Sequence, residues 1–327
     1  MKRFGPIAII MLAFVLSALA LVKVYDKGKD QKPLRFADIP QETIDWINSI
    51  GDGIDDILSI FNPTPRPTPW NNDGDPGKDP ETGLSTLEDD YFIFYYPESL
   101  TRKARMCQSL AHEAIPHLED MIGKYYYPKD MNGRKVPIYI MPNQEAFNDL
   151  MAKIYTKDRD YESVAGITIH EISSSGYYLL AIALNGRHCF RTDAYTKNVL
   201  WHEMTHYCFF ASLDYSQQLN LPMWCTEGIA EYTSLPGERP KFTSDQISKM
   251  RNECDLTQPI FPYVFEVYDG GHSIYCHMED RYQVNGVKAF LRTMYGNGIP
   301  VSLDKNFNIT ISEFESDRKA NLDKFKK

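Results

Sequence analysis

Residues 199–208 read VLWHEMTHYC, and the spacing inside this string decides how the rest of the chain is read. His202 and His206 are four residues apart. In a helix, positions i and i+4 share a face about one turn apart, so both imidazoles can aim a ring nitrogen at one point. Glu203 projects beside them. Neutral imidazole is a good zinc ligand, and a glutamate next to the open position of such an ion can take a proton from water. The pair needs a third ligand, because a chain with 8 histidines can produce this spacing by accident.

That ligand is offered by LPMWCTEGIAEY at 221–232, where Glu227 follows His206 by 21 residues. The interval lets the chain leave one helix, turn, and enter a second helix from which Glu227 can reach the ion. Two histidines and one glutamate leave a fourth position for water. Glu231 shares the helix face of Glu227 and is placed to accept the outer N–H of a ligand histidine, which orients a metal-bound imidazole.

On either side, the patterns predict the elements that carry this pair of helices. DDYFIFYY (89–96) and VPIYIMP (136–142) read as strands flanking a helix over LTRKARMCQSLAHEAIPHLEDMIG (100–123). YYLLAIAL (177–184) is a third strand, leading to a helix with Asp193 as its N-cap. VNGVKAFLRTMY (284–295) and ISEFESDRKANLDKF (311–325) are helical. The expected class is α+β: a mixed sheet with helices, then a helical C-terminal lobe, with the helix of the histidine pair between the two lobes.

The first residues put Lys2 and Arg3 ahead of an apolar run, Phe4 to Val22. This predicts an export signal over residues 1–24, either cleaved after Ala18-Leu19-Ala20 or kept as an anchor with the remainder of the chain outside the cytoplasm. Residues 25–84 read as a tether holding a short amphipathic helix and a Pro-rich linker, NPTPRPTPWNNDGDPGKDPETG. The folded domain is expected over 85–327. A net charge of -9 gives no basic footprint, so nucleic acid is not an expected partner. The six cysteines form no CxxC pair, which argues against a cysteine-ligated zinc site; in an exported chain some could form disulfides, while Cys208 and Cys225 read as small buried hydrophobes. His112 and His117 are five apart with Pro116 between and do not share a face, and His170, His188, His272 and His277 are not expected ligands.

With these residues in place the sequence resembles the gluzincin zinc metallopeptidases, and more closely the peptidase MA-like domains of exported bacterial proteins. The pattern is HExxH, then a tryptophan shortly before an EGxA stretch. Here these are His202, Glu203, His206, Trp224 and Glu227-Gly228-Ile229-Ala230. DDYFIFYYPE, VPIYIMPNQEAF and ITISEFESDRKANL also look like the family's flanking elements, so the resemblance spans about residues 88 to 325. It implies a zincin-like fold with His202, His206 and Glu227 as zinc ligands, and Glu203 as general base and later proton donor. The family also uses a tyrosine or histidine to stabilise the oxyanion. VYDGGHSIYCHMEDRY offers Tyr268, with Tyr275 and His272 as rivals.

The sequence has no GxMEN-like stretch, with which the aminopeptidase branch grips a free amino end. The expectation is therefore an endopeptidase acting on a peptide or protein substrate, with YYLLAIAL free to pair with an extended peptide. The alternative is a catalytically inactive cell-surface binding module that retains the fold. The joint presence of His202, Glu203, His206 and Glu227 argues against it.

Overall fold

Alternation along three apolar strands builds the centre of the molecule. The computed structural model describes Asp79 and residues 82–123, 135–154, 161–173, 176–213, 221–257 and 266–327, with side chains for all but 170–173, 176–180 and Glu266. The predicted export segment, amphipathic helix and most of the linker lie outside these residues, which all fall in the unit Thr68–Lys327. No helix among the described residues is long and apolar enough to cross a membrane.

The fold is mixed α+β, with one five-stranded sheet and a majority of helix. The strands are β1 (Ser85–Glu88), β2 (Phe92–Tyr96), β3 (Val136–Met141), β4 (Gly166–Ser173) and β5 (Gly176–Asn185), ordered β1-β2-β3-β5-β4. β2, β3 and β5 run parallel, and the edge strands β1 and β4 are antiparallel to their neighbours. The inner strands are covered on both faces and so read as nearly continuous apolar runs. Phe92, Phe94, Ile138, Ile140, Ile182 and Leu184 point to one side. Tyr95, Tyr139, Met141, Ala181 and Ala183 point to the other, where they meet Phe147, Leu150 and Met151 of helix α2 (Gln144–Ile154).

The first side carries α1 (Thr101–Ile122) and, after the short α3 (Gly186–Cys189), the long α4 (Asp193–Ala211). α4 holds VLWHEMTHYC and is buried almost all round. Its N-cap is Thr192, not Asp193: the Thr192 hydroxyl accepts from the Tyr195 amide at 3.1 Å. Asp193 lies one residue on, where its charge faces the positive end of the helix. The Trp201 indole N–H donates to the Leu110 carbonyl at 3.0 Å, fixing α4 to α1.

Beyond α4 the chain is helical: α5 (Met223–Ser234), α6 (Ser244–Glu253), a π turn (Glu266–Gly270), α7 (Gly271–Phe307) and α8 (Ile311–Asn321). α7 is three segments, broken at Gln283 (φ 63°) and Gly298 (φ 77°), both left-handed in φ. Pro300 falls in the first turn after the second break, where no amide donor is needed.

Two further sequence expectations change. β5, the strand of YYLLAIAL, lies between β3 and β4, so it has no edge for a peptide; among the described residues the edge on that side belongs to β4, a strand the sequence patterns did not mark. All six cysteines are buried thiols, so no disulfide framework is present among the described residues. Of the histidines set aside as non-ligands, His112 bonds Asp89 at 2.9 Å, His117 bonds the Thr233 carbonyl at 3.0 Å, and His272 and His277 are buried.

Candidate metal centre

Two helices bring the site together. α4 contributes His202, Glu203 and His206, and α5 contributes Glu227 and Glu231 one turn apart. One contact joins the two helices and another anchors the second of them. The hydroxyls of Thr205 and Thr233 lie 2.6 Å apart in the buried seam between them. The Trp224 N–H, donating to the Leu256 carbonyl at 3.1 Å, anchors the start of α5.

Three donor atoms converge. His206 Nε2 lies 3.0 Å from His202 Nε2 and 3.1 Å from Glu227 Oε2, and His202 Nε2 lies 3.3 Å from the same oxygen. A tetrahedral ion with bonds of about 2.0–2.2 Å to N and O sets its ligand atoms roughly 3.3 Å apart, so this triangle fits zinc. It is also the one His/Cys/Asp/Glu group with metal-binding proximity among the described residues. Glu231 Oε1 reaches His202 Nδ1 at 3.2 Å, which fixes that ring and leaves Nε2 facing the triangle. The corresponding Nδ1 of His206 is buried without a hydrogen-bond partner among the described residues.

The electrostatics also favour a cation. Burial acts to push the Glu227 carboxyl up, but the imidazoles of His206 and His202 outweigh it and hold the group far below the usual carboxylate range. Burial acts to discharge His202, but the carboxylates of Glu227 and Glu231 bonded to it raise its pKa well above the ordinary value. Three carboxylates, Glu203, Glu227 and Glu231, thus surround two imidazoles, an arrangement that a divalent ion neutralises.

No protein-family model matches the chain, and no curated protein matches it. Solved structures similar to it include a variant of an M1 zinc metallopeptidase from Deinococcus radiodurans bound to a Tyr-Ser-Ala substrate, with TM-score 0.36 and 13% identity over 72% of this chain and 50% of that one. The M1 zinc metallopeptidase from the same organism gives TM-score 0.34 and 12% identity with the same coverage. The chain spans about half the length of the structures it matches. The chemistry of the site rests on its own residues.

Of the three oxyanion candidates, Tyr268 is the one at the site. Its ring stacks on that of His202, centroids 6.1 Å apart, and it is 37% exposed. Burial, reinforced by the charges of Glu227, Glu203 and Glu231, raises the Tyr268 pKa and keeps the phenol protonated, hence a donor. Tyr275 is a core residue whose hydroxyl donates to the Cys225 carbonyl at 3.0 Å. His272 is buried edge-on against Tyr232, and burial, opposed by Glu231, lowers its pKa to about 4.

The structure adds residues that the sequence did not single out. Phe210 stacks on His206 at 5.6 Å and 12°, so aromatic rings lie against both histidines. Its i+4 spacing from His206 was a readable signal. Thr168 of β4 donates from its hydroxyl toward Glu203, within 2.9 Å of Oε2 and 2.8 Å of the Glu203 carbonyl. That contact joins residues 35 apart and leaves no local pattern.

Proposed function

We propose that this chain is a zinc-dependent metallopeptidase that cleaves peptide bonds with water, most readily within a chain, and that it has the two-lobed zincin arrangement about α4. The observation that carries the reading is the triangle of His202, His206 and Glu227 donor atoms, with Glu203 on the same helix as the two histidines. When bound, zinc supplies Lewis-acid polarisation of a carbonyl and lowers the pKa of a water. Glu203, 7% exposed, accepts the proton of the attacking water and returns it to the leaving nitrogen. Tyr268 donates a hydrogen bond to the oxyanion as charge develops. β4, at the sheet edge next to Glu203, offers backbone groups for pairing with an extended substrate, which supports endopeptidase action. The basic start and the apolar run Phe4 to Val22 support export, with or without an N-terminal anchor.

The test has two stages. Zinc is measured in the purified protein and in His206→Ala, and a mixed-peptide pool is then assayed with the parent and with Glu203→Gln. The reading requires about one zinc per chain in the parent, loss of zinc in His206→Ala, and internal cleavage that Glu203→Gln abolishes while keeping its metal. A zinc-loaded parent as inert as Glu203→Gln would instead favour a binding module.

A further inference from the structure

The general base of the proposed reaction lies against a strand that no motif marks. Glu203 packs on β4 between Gly166 and Thr168. An added Cβ at Gly166 would stand 2.9 Å from Glu203 Cγ, 3.2 Å from its Oε1 and 2.8 Å from Val199 Cγ1, so any side chain there displaces the glutamate. Two residues on, on the same face of the strand, the Thr168 hydroxyl is within 2.9 Å of Oε2. The carboxylate is thus bounded by an empty position at one oxygen and a donor at the other. Thr168 is 6% exposed and Glu203 7%, so water does not readily replace this hydrogen bond.

The hydroxyl has one hydrogen and two acceptors in reach, Glu203 Oε2 and the Glu203 carbonyl at 2.8 Å. An ionised carboxylate is the stronger acceptor. The carbonyl belongs to α4, so Thr168 ties the strand to the helix backbone and to the side chain of the same residue. A glutamate has three side-chain torsions, and holding it in one arrangement beside the reacting water is worth orders of magnitude in rate.

Resting on the peptidase reading, we propose that Thr168, with Gly166 clearing the space, is the positioning residue of Glu203: it fixes the carboxylate in the orientation from which it takes the water's proton. The hydroxyl, not the packing, carries the effect.

The full chain is prepared as parent, Thr168→Val, which keeps the shape without the donor, Thr168→Ser, which keeps the donor, and Glu203→Gln. Zinc content, melting temperature, kcat and KM on a peptide drawn from the cleaved pool are measured for each. Crystal structures of the zinc-loaded parent and Thr168→Val are compared. Thr168→Val is expected to keep its zinc and its KM and to lose about ten-fold or more in kcat, the scale of a lost hydrogen bond to an ionised group. Thr168→Ser recovers most of that loss, and the Glu203 side chain takes another rotamer in Thr168→Val. A Thr168→Val enzyme as fast as the parent, a Thr168→Ser no better than Thr168→Val, or an unmoved Glu203 overturns the proposal. If parent and Glu203→Gln are equally inert, the peptidase reading has failed, and the crystal pair still decides the positioning role: a displaced Glu203 supports it and an unmoved one rejects it.

Discussion

Replacing Gly228 by alanine tests whether one glycine contact sets the metal centre. Gly228 lies next to Glu227 on α5 and faces Gly271 at the start of α7. A Cβ added there would stand 2.5 Å from the Gly271 carbonyl carbon, 2.6 Å from its oxygen and 2.8 Å from its Cα. All three are backbone atoms, so no side chain can swing away. Ordinary carbon contacts are about 3.5–4.0 Å, so α5 and the start of α7 must part by roughly 1 Å. Overpacking of this kind costs about 1–3 kcal/mol, which lowers the melting temperature of a domain this size by about 2–12 °C. Metal sites tolerate only about 0.2 Å of error in ligand distance. A shift of α5 carries Glu227 and Glu231 with it, so zinc affinity is expected to fall roughly 10–100-fold, the range seen when a ligand loses the partner that orients it. The reciprocal Gly271→Ala meets the Trp224 carbonyl oxygen at 2.6 Å and Gly228 Cα at 2.8 Å, and is expected to behave alike. Once one substitution has parted the helices the second costs less, so the double variant is expected to fall short of the sum. Gly296→Ala is the control, since a Cβ there meets nothing within 4 Å. Thermal melts with and without chelator, with competition against a chromophoric zinc indicator, measure both effects. A Gly228→Ala protein that melts and binds zinc like the parent refutes the reasoning.

Other outcomes follow from single contacts. Glu231→Gln weakens the hold on His202 Nδ1, and zinc affinity is expected to drop about 10–100-fold without loss of fold, read by the same competition. Tyr268→Phe removes the proposed oxyanion donor and keeps the ring on His202; kcat is expected to fall about 10²–10³-fold with full zinc content. For Asp89, burial acts to raise the carboxyl pKa, but the amides of Tyr91 and Phe92 and the side chains of Gln108 and His112 outweigh it and hold it below the ordinary 3.8. A depressed carboxylate stabilises the fold above its unfolded pKa, and that contribution is lost as pH falls through the folded value. Urea titrations from pH 5 to pH 3 are therefore expected to show a steeper acid loss in the parent than in Asp89→Asn; equal slopes would remove Asp89 from the acid response.

The candidate histidine pair was legible because it depends on short-range geometry, whereas Glu227, 21 residues on, needed the EGxA resemblance as well. The i, i+4 spacing of His202 and His206 holds in any helix, and the same spacing carries Glu227 to Glu231. β2, β3 and β5 were readable from their apolar runs, although burial on both faces conceals which neighbours each strand has. Strand order is a matter of long-range pairing. YYLLAIAL was therefore assigned an open edge that belongs to β4, and β4 itself was missed. Gly166, Thr168, Gly228 and Gly271 act through partners distant in sequence, and their fitness is a lack of bulk or a single hydroxyl. Neither leaves a period or a local composition to read. Tyr268 could be separated from Tyr275 only by burial, since both stand in the same tyrosine-bearing stretch.

The candidate ligands are divided between α4 and α5, and the helices share a buried threonine seam at Thr205 and Thr233. An ion held by both helices is a cross-link, so its binding energy and the packing of the seam are thermodynamically linked. A free ion at about 1,000 times its dissociation constant adds roughly 4.1 kcal/mol to the stability of such a structure. A substitution in the seam, touching no ligand, will therefore register as a weaker zinc site, and a lost ligand will register as a weaker fold. Melting curves taken across a series of zinc concentrations separate the two. A packing defect shifts the whole series by a constant amount, whereas a weakened ligand set moves the zinc-dependent rise to higher zinc concentration.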